Sequence, residues 1–449
     1  MKEPEIQVGI LLADEIRFHF NSFYRIVGTG MVISGEGMVR RNNDKSIVVS
    51  LNGQEEKIVD SICFEPIEYS KASFDLYDVL IGINFHWERK EDQRFKGKLE
   101  FIIEDGLARA INILSIEDYL TSVISSEMNA TSSFELLKAH AVISRSWLIA
   151  QKEKASQLVN LDSTYNSISE TDEEYIRWYD REEHANFDVC ADDHCQRYQG
   201  ITKVSTEVVD DAIHSTYGEF LVYDGKICDA RFSKCCGGIT ERFENVWEPV
   251  SHLYLRSLVD NETIPLIYDI DLSKEEAAEK WIRTSVPAYC NTNNREVLAQ
   301  VLNNYDQETH DFYRWQVVLT QEQISDLLFR KTGWDFGEIL DLQPLERGSS
   351  GRLIRLKIVG SKLTKIIGKE LFIRKALSES HLYSSAFVVD KVYDSEQEKI
   401  PSKFILSGAG WGHGVGLCQI GAAMMADKGI SYKDILTHYF PGTELKKMY

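Results

Sequence analysis

Hydrophobic and polar residues alternate with a period of two through the first hundred or so positions, then switch to a helical period. Glu5 to Leu12 and Ile16 to Phe23 alternate in the manner of half-buried strands. Ser46 to Leu51 is a third strand, and the turn Asn52-Gly53 joins it to Glu56–Val59 as a hairpin. Leu99 to Ile103, the turn Glu104-Asp105-Gly106 and Ala108 to Leu114 predict a second hairpin. Ser115-Ile116-Glu117-Asp118 then reads as a capping box. It predicts a helix to about Met128 with Ile116, Leu120, Val123 and Ile124 on its apolar face. A second helix, from about Phe134 to Ala150, carries Leu137, Ala141 and Ser144 on one stripe.

Further along, the pattern is mixed. Val208 to Tyr217 predicts a helix, followed by a hairpin of Glu219–Tyr223 and Lys226–Phe232 about Asp224-Gly225. Helices are expected at Lys274–Thr284, Gln321–Lys331 and Lys433–Tyr439, and strands at Leu353–Val359 and Lys365–Ile367. Polar, acidic residues dominate 158 to 183, which reads as an exposed excursion. The fold class is therefore α+β. A β-rich region covers 1–112 and a mixed core 113–449, with the excursion at 158–183 and a mixed α/β insertion at about 260–400.

Composition narrows the class of partner. The 449 residues carry a formal net charge of -20, which disfavours phosphate backbones and anionic membranes, so no nucleic-acid partner is expected. No apolar run is long enough for a membrane span. Met1-Lys2-Glu3-Pro4-Glu5 lacks the basic and apolar regions of a signal peptide. The sequence thus reads either as cytoplasmic or as lacking a leader. Eight cysteines are too dispersed for a disulfide scaffold.

Two stretches carry candidate chemistry. Ser407 to Gly421 reads S-G-A-G-W-G-H-G-V-G-L-C-Q-I-G, which sets Trp411 and His413 among closely spaced glycines. Such backbone suits close approach to a polar ligand such as a sugar, and equally suits a run of turns around a structural histidine. His184, Cys190, His194 and Cys195 form H-x5-C-x3-H-C. Two thiolates and two imidazoles make a complete tetrahedral zinc set, whose closed coordination would be structural. A Cys190–Cys195 disulfide, or two buried thiols, fits the same pair.

These stretches fall in an ordered series of blocks. They are S-I-E-D-Y-L-T-S-V-I-S-S-E-M (115–128), L-K-A-H-A-V-I-S-R-S (137–146), H-C-Q-R-Y-Q-G (194–200), C-C-G-G-I-T-E-R-F-E-N-V-W (235–247), L-Y-L-R-S (253–257), W-G-H-G-V-G-L-C-Q-I-G-A (411–422) and Y-K-D-I-L-T-H-Y-F-P-G-T (432–443). In these blocks the chain resembles the SpoIID/LytB domain family of sporulation proteins and amidase enhancers, over roughly 112 to 449. The resemblance implies a long substrate groove and a lytic transglycosylase that cuts the MurNAc–GlcNAc bond of peptidoglycan, on strands stripped of peptides, leaving 1,6-anhydro-MurNAc ends. It also admits a non-catalytic amidase enhancer with a cell-wall amidase as partner, or an intracellular enzyme acting on muropeptide-derived sugars. The cell envelope is the compartment it implies.

Residue by residue, the resemblance makes Glu127 the catalytic acid. It makes Arg145, Gln196, Tyr198, Gly237, Gly238, Trp411, His413 and Gln419 substrate-binding residues. Some family members carry zinc in the region of His184, Cys190, His194 and Cys195. For Arg145 an inter-helix ion pair is the competing reading. This chain departs from the family at Lys234-Cys235-Cys236, where a Ser-rich segment usually precedes the Gly-Gly pair, and at Cys418, where a small polar residue is common.

Overall fold

The computed structural model describes residues 2–43, 45–53, 57–82, 88–129, 132–158, 166–179, 184–192, 195–202, 205–263, 270–302, 311–395 and 397–449. It is a mixed α+β protein. The period-two region folds into one large sheet. Glu5–Ala13 pairs antiparallel with Leu107–Ser115, and that strand pairs with Lys98–Glu104. Ile62–Pro66, Glu15–Ile26, Val32–Asn43 and Ser46–Leu51 continue the sheet outward. Its inner face is an aromatic cluster of Phe18, Phe20, Tyr24, Phe64, Phe74, Phe95 and Phe101, each at most 2% exposed.

The sheet feeds directly into two helices, α1 (Ile116–Glu127) and α2 (Phe134–Leu158). Ser115 caps α1 by accepting the Asp118 N–H on Oγ at 3.2 Å. The apolar stripe of α1, Ile116, Leu120, Val123 and Ile124, is fully buried. α2 outruns its predicted end by two turns, because residues 151 to 158 hold no glycine or proline to stop it. Glu219–Tyr223 lies between the hairpin strand Lys226–Ile227 and the C-terminal strand Glu444–Lys447.

A second hydrophobic core forms within the predicted insertion. Arg314–Thr320, Lys403–Ala409 and Phe387–Val392 make one antiparallel sheet. Ile339–Arg347, Leu353–Gly360 and Thr364–Gly368 make another. Trp315, Ile324, Leu356, Ile373 and Phe404 pack between them. The acidic excursion is not simply an exposed loop. Its residues Ile168–Glu170 and Glu174–Arg177 form a hairpin that joins this second sheet beside Thr364–Gly368, where Glu174 pairs with Arg355. The outer parts of the excursion lie outside the described residues.

A buried polar joint connects the two cores. Glu241, 0% exposed, accepts from Arg242 N–H, Asn245 Nδ2, Ser349 Oγ and both the N–H and Oγ of Ser350. Arg352, 1% exposed, donates to the carbonyls of Gly412 and Cys236 and to Ser350 Oγ.

Candidate functional site

Glu127 is the last residue of α1 and is half-buried. Its Oε1 accepts the backbone N–H of Arg197 at 3.2 Å. That contact is one of three between α1 and the segment 196–199. Tyr119 donates its hydroxyl to Gln196 Oε1 at 3.3 Å, and Ser122 Oγ accepts the Gln199 N–H at 3.2 Å. Tyr119 and Ser122 share one helical stripe and Glu127 ends the helix, so the segment 196–199 meets α1 both along that stripe and at its C-terminal end.

The same segment begins at Cys195. Val189–Cys190 adds to the large sheet in parallel beside Val8 and Gly9, which fixes Cys190. Gly9 has no side chain because Phe187 occupies that space; a Cβ there would lie 2.5 Å from the Phe187 ring. Phe187 in turn stacks on the His184 ring at 4.6 Å. His184 Nε2 sits 3.4 Å from Cys195 Sγ, and one donor atom each from His184, Cys190 and Cys195 lie within 4.8 Å of one another. Three N/S donors so gathered fit a zinc ion. His194 lies outside the described residues. The neighbouring Cys190 thiol, together with burial, pushes the Cys195 thiol well up.

The glycine-rich run crosses the 231–238 segment. Gly410, Gly412, Gly414 and Gly416 all take positive φ, between 74° and 94°. Val415, between two of these glycines, is fully buried, and the glycine backbone presses on its neighbour. A Cβ on Gly416 would lie 2.0 Å from the Arg231 carbonyl, and one on Gly410 2.8 Å from that of Cys235. Cys235 and Trp411 exchange both backbone hydrogen bonds. The Trp411 ring remains half-exposed, stacked on Phe312 at 4.9 Å.

Most of the other residues predicted to bind substrate are used internally. Arg145 is 0% exposed, donates twice to Glu117 at 2.9 and 2.7 Å, and donates to the Glu219 carbonyl. It is the inter-helix ion pair and does not reach Glu127 with these donors. Tyr198, 1% exposed, gives its hydroxyl to Asn112 at 2.6 Å and stacks on Tyr119. Gln196 is 2% exposed, so its amide faces the core. Gly237 and Gly238 are buried, at φ of 81° and 109°, against the backbone of 409–410 and against Tyr313 and Trp281. Gln419, 2% exposed, donates its amide to His140 Nε2 at 3.1 Å. His413 accepts the Val415 N–H on Nδ1 and has a second backbone partner in Phe232. Burial, and then the charges of Arg231, Arg374 and Arg352, hold its ring well below the usual histidine range.

Sequence reasoning missed Arg231. This residue is paired with Asp229 at 2.6 Å, lies 4.2 Å from the Trp247 ring, and places its charge near both Cys195 and His413. Trp247 contacts His413 edge-on at 5.0 Å. The electrostatic reach of Arg231 therefore joins the Cys195 corner to the glycine-rich run.

The α+β scaffold presents a half-exposed acid, Glu127, against the segment that begins at the Cys/His corner, and separately an aromatic-bearing glycine run packed on 231–238. Residues 104–223, which contain Glu127 and the Cys/His corner, match the model of the Stage II sporulation protein family. Over this stretch the chain is similar to the SpoIID/LytB family. Residues 241–416 match a domain of unknown function (DUF8618). The amidase enhancer of Bacillus subtilis (strain 168) is 26% identical over 329 residues, covering 73% of this chain but only 40% of that protein. Stage II sporulation protein D of Bacillus amyloliquefaciens is 21% identical over 351 residues, covering 75% of this chain and 76% of that protein. An uncharacterized protein of Brachyspira hyodysenteriae is 25% identical over 352 residues, covering 78% and 72%. This similarity is consistent with a cell-wall-related role. Among the described residues, no helix is long and apolar enough to cross a membrane.

Proposed function

We propose that the protein is a lytic transglycosylase that cuts the MurNAc–GlcNAc bond of peptidoglycan, with Glu127 as general acid and base. The observation that carries this reading is the placement of Glu127, half-exposed and oriented by the Arg197 N–H. In the first half of the reaction the carboxyl donates its proton to the leaving glycosidic oxygen as the C–O bond breaks. In the second, the carboxylate takes the proton of the muramic acid 6-hydroxyl while that oxygen bonds to the anomeric carbon. Glu127 ends as it began, a 1,6-anhydro end is formed, and no water is consumed. One carboxyl thus suffices where a hydrolase uses two. The Trp411 face is the surface offered to sugar rings. The Cys/His corner is a structural zinc site that holds the segment carrying Arg197.

Amidase-treated peptidoglycan, incubated with the wild type and with Glu127→Gln and read by mass spectrometry, tests the proposal. Anhydro ends made only by the wild type are expected. Reducing ends would assign a hydrolase. Glycan binding without any product would favour the second reading, a non-catalytic enhancer of a cell-wall amidase. The name of the Bacillus subtilis relative supports that alternative, as does the internal use of most predicted contact residues.

A further inference from the structure

The two departures from the family pattern, Cys-Cys before Gly237 and Cys418, meet in space. Cys236 Sγ lies 3.6 Å from Cys290 Sγ. One donor atom each from Cys236, Asp260, Cys290 and Cys418 all lie within 4.8 Å of one another. None of the four residues is more than 3% exposed. They come from distant parts of the chain: the turn before Gly237, the bend after Val259, the loop before residue 291, and the residue that opens the helix Gln419–Asp427.

Three features distinguish this cluster from cysteines that merely fill a core. The first is spacing. With Zn–S bonds of about 2.3 Å, a tetrahedral site sets neighbouring sulfurs about 3.8 Å apart. The Cys236–Cys290 separation approaches that edge and is far from the roughly 2.0 Å of a disulfide. The second is charge. Asp260 is 0% exposed and, among the described residues, forms no ion pair with a lysine or arginine. Buried carboxylates are ordinarily paired or bound to metal.

The third is the surrounding shell. The Cys236 N–H donates to Cys418 Sγ at 3.2 Å, and the Gly238 N–H donates to Cys236 Sγ at 3.4 Å. Both are the donors that thiolates need. Tyr439 gives its hydroxyl to Asp260 Oδ1 at 2.6 Å, and the Cys290 N–H meets Oδ2 at 2.9 Å. The carboxylate is thereby oriented as outer-shell partners orient metal ligands. Gly421 makes room for this arrangement, since a Cβ there would lie 2.2 Å from the Tyr439 hydroxyl and 2.5 Å from Asp260 Oδ1.

We propose that Cys236, Asp260, Cys290 and Cys418 bind a single thiophilic divalent cation, zinc by donor type, in a closed structural site separate from the Cys190/Cys195 corner. Four protein donors leave no open position, so the ion fastens the chain and does not activate water. It would lock the base of the glycine-rich run, because Cys235, next to the first ligand, is the residue that pairs with Trp411. Cys235 itself packs against the cluster, with its thiol in contact with Cys290 and Cys418.

The test is made on the full chain, purified without chelator, carrying Cys190→Ser and Cys195→Ser to remove the other donor set. About one zinc per chain is expected by elemental analysis. After exchange, Co2+ should show thiolate charge-transfer and tetrahedral d–d bands. Adding Asp260→Asn should weaken metal retention about tenfold or more, whereas Cys235→Ser should not. Should the Asn variant fail to fold, alkylation decides. Cys236, Cys290 and Cys418 should resist iodoacetamide until a chelator is added. A metal-free background protein, a disulfide among these cysteines, or zinc lost with Cys235→Ser but kept with Asp260→Asn would overturn the assignment.

Discussion

Replacing Arg145 with methionine separates two accounts of that residue. The side chain is fully buried, and its Nε and Nη2 bind the two oxygens of Glu117 while Nη1 meets the Glu219 carbonyl. Methionine fills similar space and leaves the Glu117 carboxylate without its cation. Removing one partner of a buried pair costs about 3–5 kcal/mol. Two donors would remain on Glu117 Oε1, the Gly218 N–H at 3.3 Å and the Tyr449 hydroxyl at 2.5 Å. Their presence places the expected loss at the lower end, about 3 kcal/mol. Urea unfolding of the wild type, Arg145→Met, Glu117→Gln and the double variant would measure it. The double variant should lose less than the sum of the two single losses, because removing the carboxylate's charge removes the uncompensated ion. Glycan binding by the folded Arg145→Met protein should equal that of the wild type. A variant of unchanged stability that no longer binds glycan would refute this reasoning and restore Arg145 to the substrate site.

Three further outcomes follow from the same structure. His140 is fully buried, and burial, then Lys234, push it down to about 3. Its folded value lies below its unfolded one, so its stabilisation is complete above the unfolded value and is lost as pH falls below about 6.5. Between pH 7 and 4.5 the wild type should lose about 3 kcal/mol more unfolding free energy than His140→Gln; equal losses would show that His140 protonates freely when folded. Gly416→Ala combines a φ of 74° with a Cβ 2.0 Å from a backbone carbonyl, so thermal melts should show a loss of at least about 2 kcal/mol. Tyr198→Phe strands Asn112 Oδ1 in the core and should cost about 1–3 kcal/mol. Its effect on turnover should be no greater than its effect on the folded fraction.

The sequence made the α+β class and its main elements readable wherever one periodicity dominated. The period-two strands of the first hundred residues and the capped start of α1 at Ser115 are the clearest cases. The end of α2 was not readable, since no breaker marks it. Nor was the strand at 174–177, which joins a sheet through a partner far along the chain at 364–368. Site residues divide along the same line. Glu127 ends a helix that its own segment specifies, and it lies half-exposed. Arg145, Tyr198, Gln419 and His413 are polar residues whose partners, Glu117, Asn112, His140 and the Phe232 backbone, are remote or unmarked in sequence. A polar residue bound to a core partner and one bound to a ligand look alike in sequence, and only packing distinguishes them. The thiol cluster was hidden for the same reason, its four residues being spread from 236 to 418.

The Glu241 and Arg352 joint bears on how this molecule can move. Apolar interfaces slide by small steps, because dispersion contacts are replaced as they are lost. Five hydrogen bonds converging on one buried carboxylate have no such intermediate positions. Opening the joint would give up the three bonds from Ser349 and Ser350, each worth about 1.5–3 kcal/mol to a charged acceptor, which leaves the open form below about 1% of molecules. The two hydrophobic cores should therefore diffuse and scatter as one rigid body, with the same radius of gyration with and without glycan. For the proposed glycan substrate, adaptation would then fall to side chains at the surface, such as Trp411 and Glu127, and not to a hinge.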